Sequence, residues 1–332
     1  MKKALVTGAA GFIGSHVVRA LLDDNVHVRA MIRPGEDTRN IKELDIEIVE
    51  GDVMDNDFVK KAVSGVDTVF HLAAIYAIWM PDWRPIYEVN LQGSRNILWA
   101  CLHSGVGKVV YTSSISAIGI APGKDLSNET TPFNQYDLGS HYVITKYLSQ
   151  QEALGFAANG LDLVVVNPAF PFGPGDIGPT PTGRMIIDIA TGINRTAFSG
   201  GLNIVDVRDV AMGHVLAAKK GKSGELYILG NRNVTVTELM DMVNNCLGQK
   251  KRYIPMVPKA VLTGGTYVLR AWSDRVSHKP PMSTPVEIRY ASNYLYFDNT
   301  KAKTQLGLDF RPVETSIKES LEWFRENGRL QG

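Results

Sequence analysis

The chain has 332 residues, which at roughly 150 residues per domain is room for about two domains or one large α/β unit. Hydrophobic residues make up 44% and charged residues 21%, the usage of an ordinary globular protein rather than a collagenous, disordered or coiled-coil one. A formal charge of +1, from 35 basic and 34 acidic residues, gives no whole-chain field to attract nucleic acid or an anionic membrane, so neither is expected as a partner.

Two cysteines, Cys101 and Cys246, cannot build a disulfide framework, and the histidines show no His-x-x-x-His spacing, so no metal site is expected and a cytoplasmic setting fits. Glycines at 8, 11 and 14 break the apolar start of the chain, which reads as structure and not as a signal peptide. No run reaches the roughly 18 to 20 apolar residues of a membrane span. The most apolar stretch, 255–272, reads as a core-facing helix.

In chain order, short β-branched runs at 3–7, 26–32, 46–49, 68–72, 108–112 and 161–166 alternate with longer helical patterns, the signature of right-handed βαβ units. A Pro- and Gly-rich segment from Pro168 to Gly183, in which helix is not expected to persist, follows and marks a junction. Beyond it, helices are predicted at 185–193, 207–219, 237–247 and 315–327, with short strands near 202–205 and 225–229. The expected fold is therefore α/β, a Rossmann-type doubly wound parallel sheet over residues 1–168, with a smaller mixed substrate-binding domain over 169–332. The first unit is expected to be rejoined by about 202–217.

Thr7-Gly8-Ala9-Ala10-Gly11-Phe12-Ile13-Gly14 leaves the first strand and enters a helix, the context in which glycines let a backbone approach a pyrophosphate at a helix N-terminus. The second strand ends in Ile32-Arg33 with no acid, so Arg33, with Arg39 as a second contact, favours the 2′-phosphate of NADP over NAD. Asp52-Val53 follows the third strand, where the carboxylate either meets an adenine amino group or starts a helix.

Tyr142 and Lys146 stand four apart on a predicted helix, 139–159, one turn from each other on one face. An ammonium beside a phenol lowers its pKa toward the range of a useful acid–base catalyst, so Lys146 is expected to tune Tyr142. Ser113 or Ser114, just past the fifth strand, would hold a substrate oxygen at the carboxyl end of the sheet. The loop 75–83, with Tyr76, Trp79 and Trp83, either walls an apolar substrate or packs beneath itself or against another subunit. His141, beside Tyr142, is expected to have a surface or packing role.

The glycine loop, Asp52-Val53, His71-Leu72-Ala73-Ala74, Asn90, Tyr111-Thr112-Ser113-Ser114, Tyr142-x-x-x-Lys146 and Asn167-Pro168-Ala169 together resemble an extended short-chain dehydrogenase/reductase, of the NAD-dependent epimerase/dehydratase superfamily. Residues 28–33 resemble the NADP-selecting strand of dihydroflavonol reductases, and segments 171–176 and 179–183 are similar to hopanoid-associated sugar epimerases. The resemblance implies that Ser114 orients a carbonyl, Tyr142 donates a proton, Lys146 also binds the nicotinamide ribose, and Asn90 steadies the site. It further implies that Thr7, Gly8, Gly11, Phe12, Ile13, Gly14, Leu72, Ala73 and Ala74 surround the cofactor, that Pro168 and Phe170 border its nicotinamide, and that the chain is a homodimer. Sugar-nucleotide enzymes of this kind usually carry an arginine where this chain has Asn203; Arg184, Arg195, Arg208 and Arg289 are possible substitutes.

Three readings follow. The first is an NADP(H)-dependent reductase of a small carbonyl substrate, the second a sugar or nucleotide-sugar epimerase or dehydratase with NAD or NADP, and the third a nucleotide-sensing protein without chemistry.

Overall fold

The computed structural model describes residues 1–77, 79–194, 196–249, 254–277 and 283–330. Its larger sheet has seven parallel strands in the order β3-β2-β1-β4-β5-β6-β9: β1 Lys3–Thr7, β2 His27–Ile32, β3 Glu47–Glu50, β4 Thr68–His71, β5 Lys108–Thr112, β6 Leu163–Pro168 and β9 Leu226–Leu229. The strand at 226–229, which the sequence placed with the second half, thus closes the first sheet, a non-local pairing that no local pattern announces.

The apolar strands read as runs because both faces are covered. Successive side chains alternate between the two faces. Ala4, Val6, Val110, Val164 and Val166 pack under helices α1 (Phe12–Asp23) and α7 (Val207–Lys220). Leu5, Val109, Tyr111, Leu163 and Val165 pack under α2 (Asn56–Val63), α4 (Ser94–Ser104) and α5 (His141–Ala158).

Strand order reverses at β1 and β4, so the chain departs in opposite directions from their carboxyl ends and opens a crevice there. A smaller sheet forms around β8 (Gly201–Asp206), which pairs antiparallel with β10 (Arg232–Thr235) and parallel with β7 (Phe170–Phe172) and β11 (Tyr294–Leu295). Its core joins Phe172, Leu202, Ile204 and Val234 to α6 (Pro181–Ala190), α8 (Val236–Cys246) and α11 (Val313–Glu326).

Two expectations are corrected. Pro181 does not end the helical potential of the Pro-rich segment; it stands at the first turn of α6 behind the N-cap Thr180, where its missing N–H costs nothing. The helix expected to face the core, α9 (Lys259–Trp272), instead leaves Val261, Tyr267, Val268, Leu269 and Trp272 exposed. It packs on α10 (Pro285–Ala291), and apolar residues all round a helix held on one side leave some in solvent. No helix among the described residues is long and apolar enough to cross a membrane.

Candidate functional site

A cavity of about 380 Å³ sits in the crevice, within the range of small-molecule sites. Gly8, Gly11, Phe12, Ile13 and Gly14 follow β1; Leu72, Ala74, Tyr76 and Ala77 follow β4; Ser113, Ser114 and Ser116 follow β5; and Pro168 and Phe170 lie at the end of β6. Tyr142 and Lys146 close the cavity from α5. Thus most of the expected site residues meet in one place although they span the first half of the chain.

Two glycines make the loop possible. Gly8 has φ +66°, and a Cβ on it would lie 3.1 Å from the Ala73 backbone, while a Cβ on Gly14 would fall 2.1 Å from Gly8 O. Gly11 caps α1 without a side-chain bond, so no side chain takes the helix's first N–H groups. The cradle therefore fits a pyrophosphate, which needs close backbone approach and free N–H donors.

Behind the loop runs a polar chain. Thr7 Oγ1 accepts the N–H groups of Leu72 and Ala73 at 3.1 and 3.0 Å, so its own proton goes to His71 Nδ1, 2.8 Å away. His71 then carries its proton on Nε2 and donates to Ser94 Oγ at 3.0 Å. Burial, with the Lys146 charge, pushes His71 down to about 3, so it stays neutral. Thr7 and Ala73 do not line the cavity; they join β1 to β4 and hold the loop's shape.

The catalytic end is as tightly held. Ser140 caps α5, its side chain accepting the Val143 N–H. Ser114 Oγ accepts the Ser116 N–H at 3.1 Å, and the Ser114 carbonyl accepts Asn167 Nδ2 at 2.8 Å, which also donates to Gln150 on α5. Burial pushes the Tyr142 phenol up to about 12, with the Ser114 and Ser116 hydroxyls pulling the other way. Burial likewise pushes the Lys146 amine down to about 8, and its Nζ donates to Thr112 O at 3.1 Å.

The expected tuning of Tyr142 by Lys146 is therefore not what this geometry gives: desolvation dominates both groups and the amine is engaged on the sheet.

Several expected contacts fall outside the cavity. Asn90 is buried, accepts the Ile75 N–H at 2.7 Å and donates to Thr145 Oγ1 at 3.3 Å, clamping the loop after β4 to α5 without reaching the cavity. Val53 packs in the core cluster under α2 and α4, and Asp52 accepts the Met54 N–H at 2.9 Å in the turn before α2, whose N-cap is Asp55. Arg33 is exposed just past β2, and Arg39 is held by Asp37 through contacts of 2.6 to 3.0 Å.

The loop after β4 divides. The Tyr76 ring lies 4.5 Å from that of Tyr142, whereas Trp79, Met80, Pro81 and Trp83 line an adjoining cavity of about 460 Å³. Trp79 Nε1 donates to Asp274 Oδ1 at 3.2 Å, and Ile78 lies outside the described residues. His141 has the packing role expected of it, its ring stacked on Trp83 at 4.5 Å.

Asn203 is fully buried and donates to Asn233 Oδ1 at 2.7 Å, away from the cavity. Arg208 is paired with Asp206 and Glu319, Arg184 lies 3.9 Å from Asp188, and Arg289 donates to Leu138 O; none of the three lines the cavity, and Arg195 lies outside the described residues. Among the described residues Lys146 is the cavity wall's single cation and Glu287 its single carboxylate.

Val286, Glu287 and Tyr290, on the wall, were missed in the sequence. Thr284-Pro285-Val286-Glu287, a capping box with Pro in the first turn, was the available signal for α10.

The model of the NAD dependent epimerase/dehydratase family matches residues 4–230. The chain belongs to that family. Its members are NAD(P)-dependent oxidoreductases, epimerases and dehydratases, and the protein is an enzyme of this extended short-chain dehydrogenase/reductase type. It is 34% identical to a Synechocystis sp. protein provisionally named dihydroflavonol 4-reductase, over 98% of this chain and 95% of the relative. It is 32% identical to sterol demethylase protein B of Methylococcus capsulatus, over 98% and 99%. The crystal structure of gox2253 superposes with a TM-score of 0.88 at 37% identity, each chain fully covered.

Proposed function

We propose that the protein is an NADP(H)-dependent reductase of a ketone or aldehyde, with Tyr142 as the proton donor. The observation that carries this reading is the cavity itself: a phenol and a serine hydroxyl converge beside the glycine cradle, within walls that are largely apolar and hold one cation. With the glycine cradle taken by the cofactor's own pyrophosphate, the diphosphate of a sugar nucleotide would find Lys146 as the wall's single cation.

When bound, the nicotinamide supplies hydride. The glycine loop and the N-terminus of α1 would hold its pyrophosphate, and Lys146, Pro168 and Phe170 would lie toward its nicotinamide end. The Ser114 hydroxyl donates a hydrogen bond to the carbonyl oxygen and orients it. Tyr142 Oη then transfers its proton to that oxygen as the alcohol forms. A phenol held near 12 is fully protonated at neutral pH, the state a donor needs.

The test is stoichiometry. Incubated with a carbonyl panel, the protein should consume one equivalent of NADPH per alcohol formed; sugar isomerisation with the cofactor returned unchanged would replace this reading by that of an epimerase.

The exposed Arg33 guanidinium supports NADP, since it can meet a 2′-phosphate with charge-assisted bonds. Arg33→Asp should lower kcat/KM for NADPH by roughly 10- to 100-fold, the worth of one such bond, while NADH is favoured. Equal effects on the two nucleotides would remove Arg33 from the site. Exposed Trp99 on α4 and Leu148 on α5 support a homodimer through these helices.

A further inference from the structure

Helix α9 is turned the opposite way from a helix that meets only water. Among the described residues from Lys259 to Ser273 the buried side chains are two hydroxyls, Thr266 at 6% exposed and Ser273 at 1%. Val261, Val268 and Trp272, seven and four residues apart and so along one face, are 64%, 70% and 61% exposed. Leu269, beside that face, and Val276, just beyond the helix, are exposed as well. A surface helix ordinarily buries its apolar face and gives its hydroxyls to solvent. In α9 the hydroxyl side is turned inward and the apolar side is left uncovered, and an uncovered apolar face marks a contact site.

The charge around the face decides what covers it. From Lys250 to Lys279 the sequence holds seven basic residues and one acid, Asp274, a net +6 in a chain whose total is +1, so the near-neutral total conceals one strongly basic segment. Lys259 and Arg275, both exposed, stand at the two ends of α9, and Asp274 is engaged by Trp79 Nε1. Trp272 and Tyr267 are of the two residue types that membrane interfaces favour. Two copies of so basic a face would repel each other, whereas an anionic surface would attract it.

We propose that α9 docks on an anionic lipid bilayer, its apolar face in the boundary between headgroups and acyl chains and its flanking basic residues on the headgroups. With 14 residues the helix is shorter than the roughly 20 that span a bilayer, so it lies along the surface. Asp274, at its carboxyl end, lines the cavity of about 460 Å³ that shares Ser140 and Val286 with the catalytic one, so the docked face lies beside the site. This inference stands independently of the reductase reading.

The test is co-sedimentation of the full chain with vesicles. It should pellet with phosphatidylcholine vesicles containing about 30% phosphatidylglycerol, pellet much less with phosphatidylcholine alone, and be released by salt. The triple variant Val268→Ser, Leu269→Ser, Trp272→Ser should lower the partition coefficient roughly 100-fold or more through lost apolar burial. Lys259→Glu with Arg275→Glu should lower it roughly 30-fold or more, from two charges near an anionic surface. All these side chains are exposed, so the unfolding midpoint of each variant should stay close to that of the wild type, which separates lost docking from lost folding.

Depth gives a second readout. Brominated lipid in the anionic vesicles should quench part of the tryptophan fluorescence, and that part should be lost in Trp272→Phe. A wild type that does not pellet with anionic vesicles, or a triple variant that pellets as well as the wild type, overturns the proposal. Self-association that the triple variant abolishes, without any binding to vesicles, overturns it in favour of a second copy of the chain.

Discussion

Tyr142→Phe is expected to lower kcat by about 10²- to 10⁴-fold, the usual contribution of a positioned acid, with little change in substrate affinity. The substitution removes one oxygen and keeps the ring, which packs 4.5 Å from Tyr76 and fills the cavity wall. Its effect on the fold is therefore small, whereas its effect on the proton is complete. Ser114 still orients the carbonyl but has no comparable proton to give, so residual turnover reflects positioning alone.

Single-turnover measurement of cofactor oxidation separates this from changes in product release. A variant that keeps kcat within a few-fold would assign the proton to another group. The same reasoning fixes a feature of the wild-type profile. A phenol held near 12 by burial does not ionise below about pH 10, so any loss of reductase activity between pH 7 and 10 belongs to another residue.

The residues legible in the sequence are those whose role depends on local geometry. Gly8 and Gly14 are identifiable because glycine alone takes a left-handed φ without a Cβ penalty and alone avoids a Cβ contact of 2.1 Å, and both requirements arise within eight residues of the chain. Tyr142 and Lys146 are legible because helical spacing alone puts them on one face.

What could not be read depends on packing that the local pattern does not encode. Val53 belongs to a recognisable motif, yet it fills the core, because side-chain direction is set by neighbours far away in sequence. The wall residues on α10 come from a seven-residue helix whose capping box is a weaker signal than a long periodic stretch. The tuning of Tyr142 by Lys146 does not follow from adjacency alone, for the same reason. Adjacency was legible, but burial and the Thr112 carbonyl decide the two pKa values, and both lie outside the helix.

Lys146→Met tests that last point, because it should damage activity and improve stability together. The wild-type amine is buried with one hydrogen bond to Thr112 O, and its pKa falls from 10.5 to about 8, so folding disfavours its charged form. Between about pH 8 and 10.5 the unfolded chain binds more protons at this site than the folded one, and wild-type stability rises with pH across that window. Below pH 8 the ammonium is charged in both states and its full cost is present.

Methionine has similar length and no charge. In the cofactor-free protein it should therefore stabilise by about 1–3 kcal/mol at pH 7, an advantage that shrinks as the pH approaches 10.5. Urea unfolding at pH 7 and pH 10 measures both values, and a variant less stable than wild type at pH 7 would show that the amine is not held at a cost.

Activity should move in the opposite direction, with kcat/KM falling by about 10²-fold, the typical loss on removing one preorganised charge. In the wild type the reductive kcat/KM should decline above about pH 8 as Lys146 loses its proton, and this limb should be absent from the residual activity of Lys146→Met. Retention of the limb in the variant would assign it to a different group. A site that keeps a costly ammonium in its wall illustrates the opposition between stability and function at positions selected for chemistry.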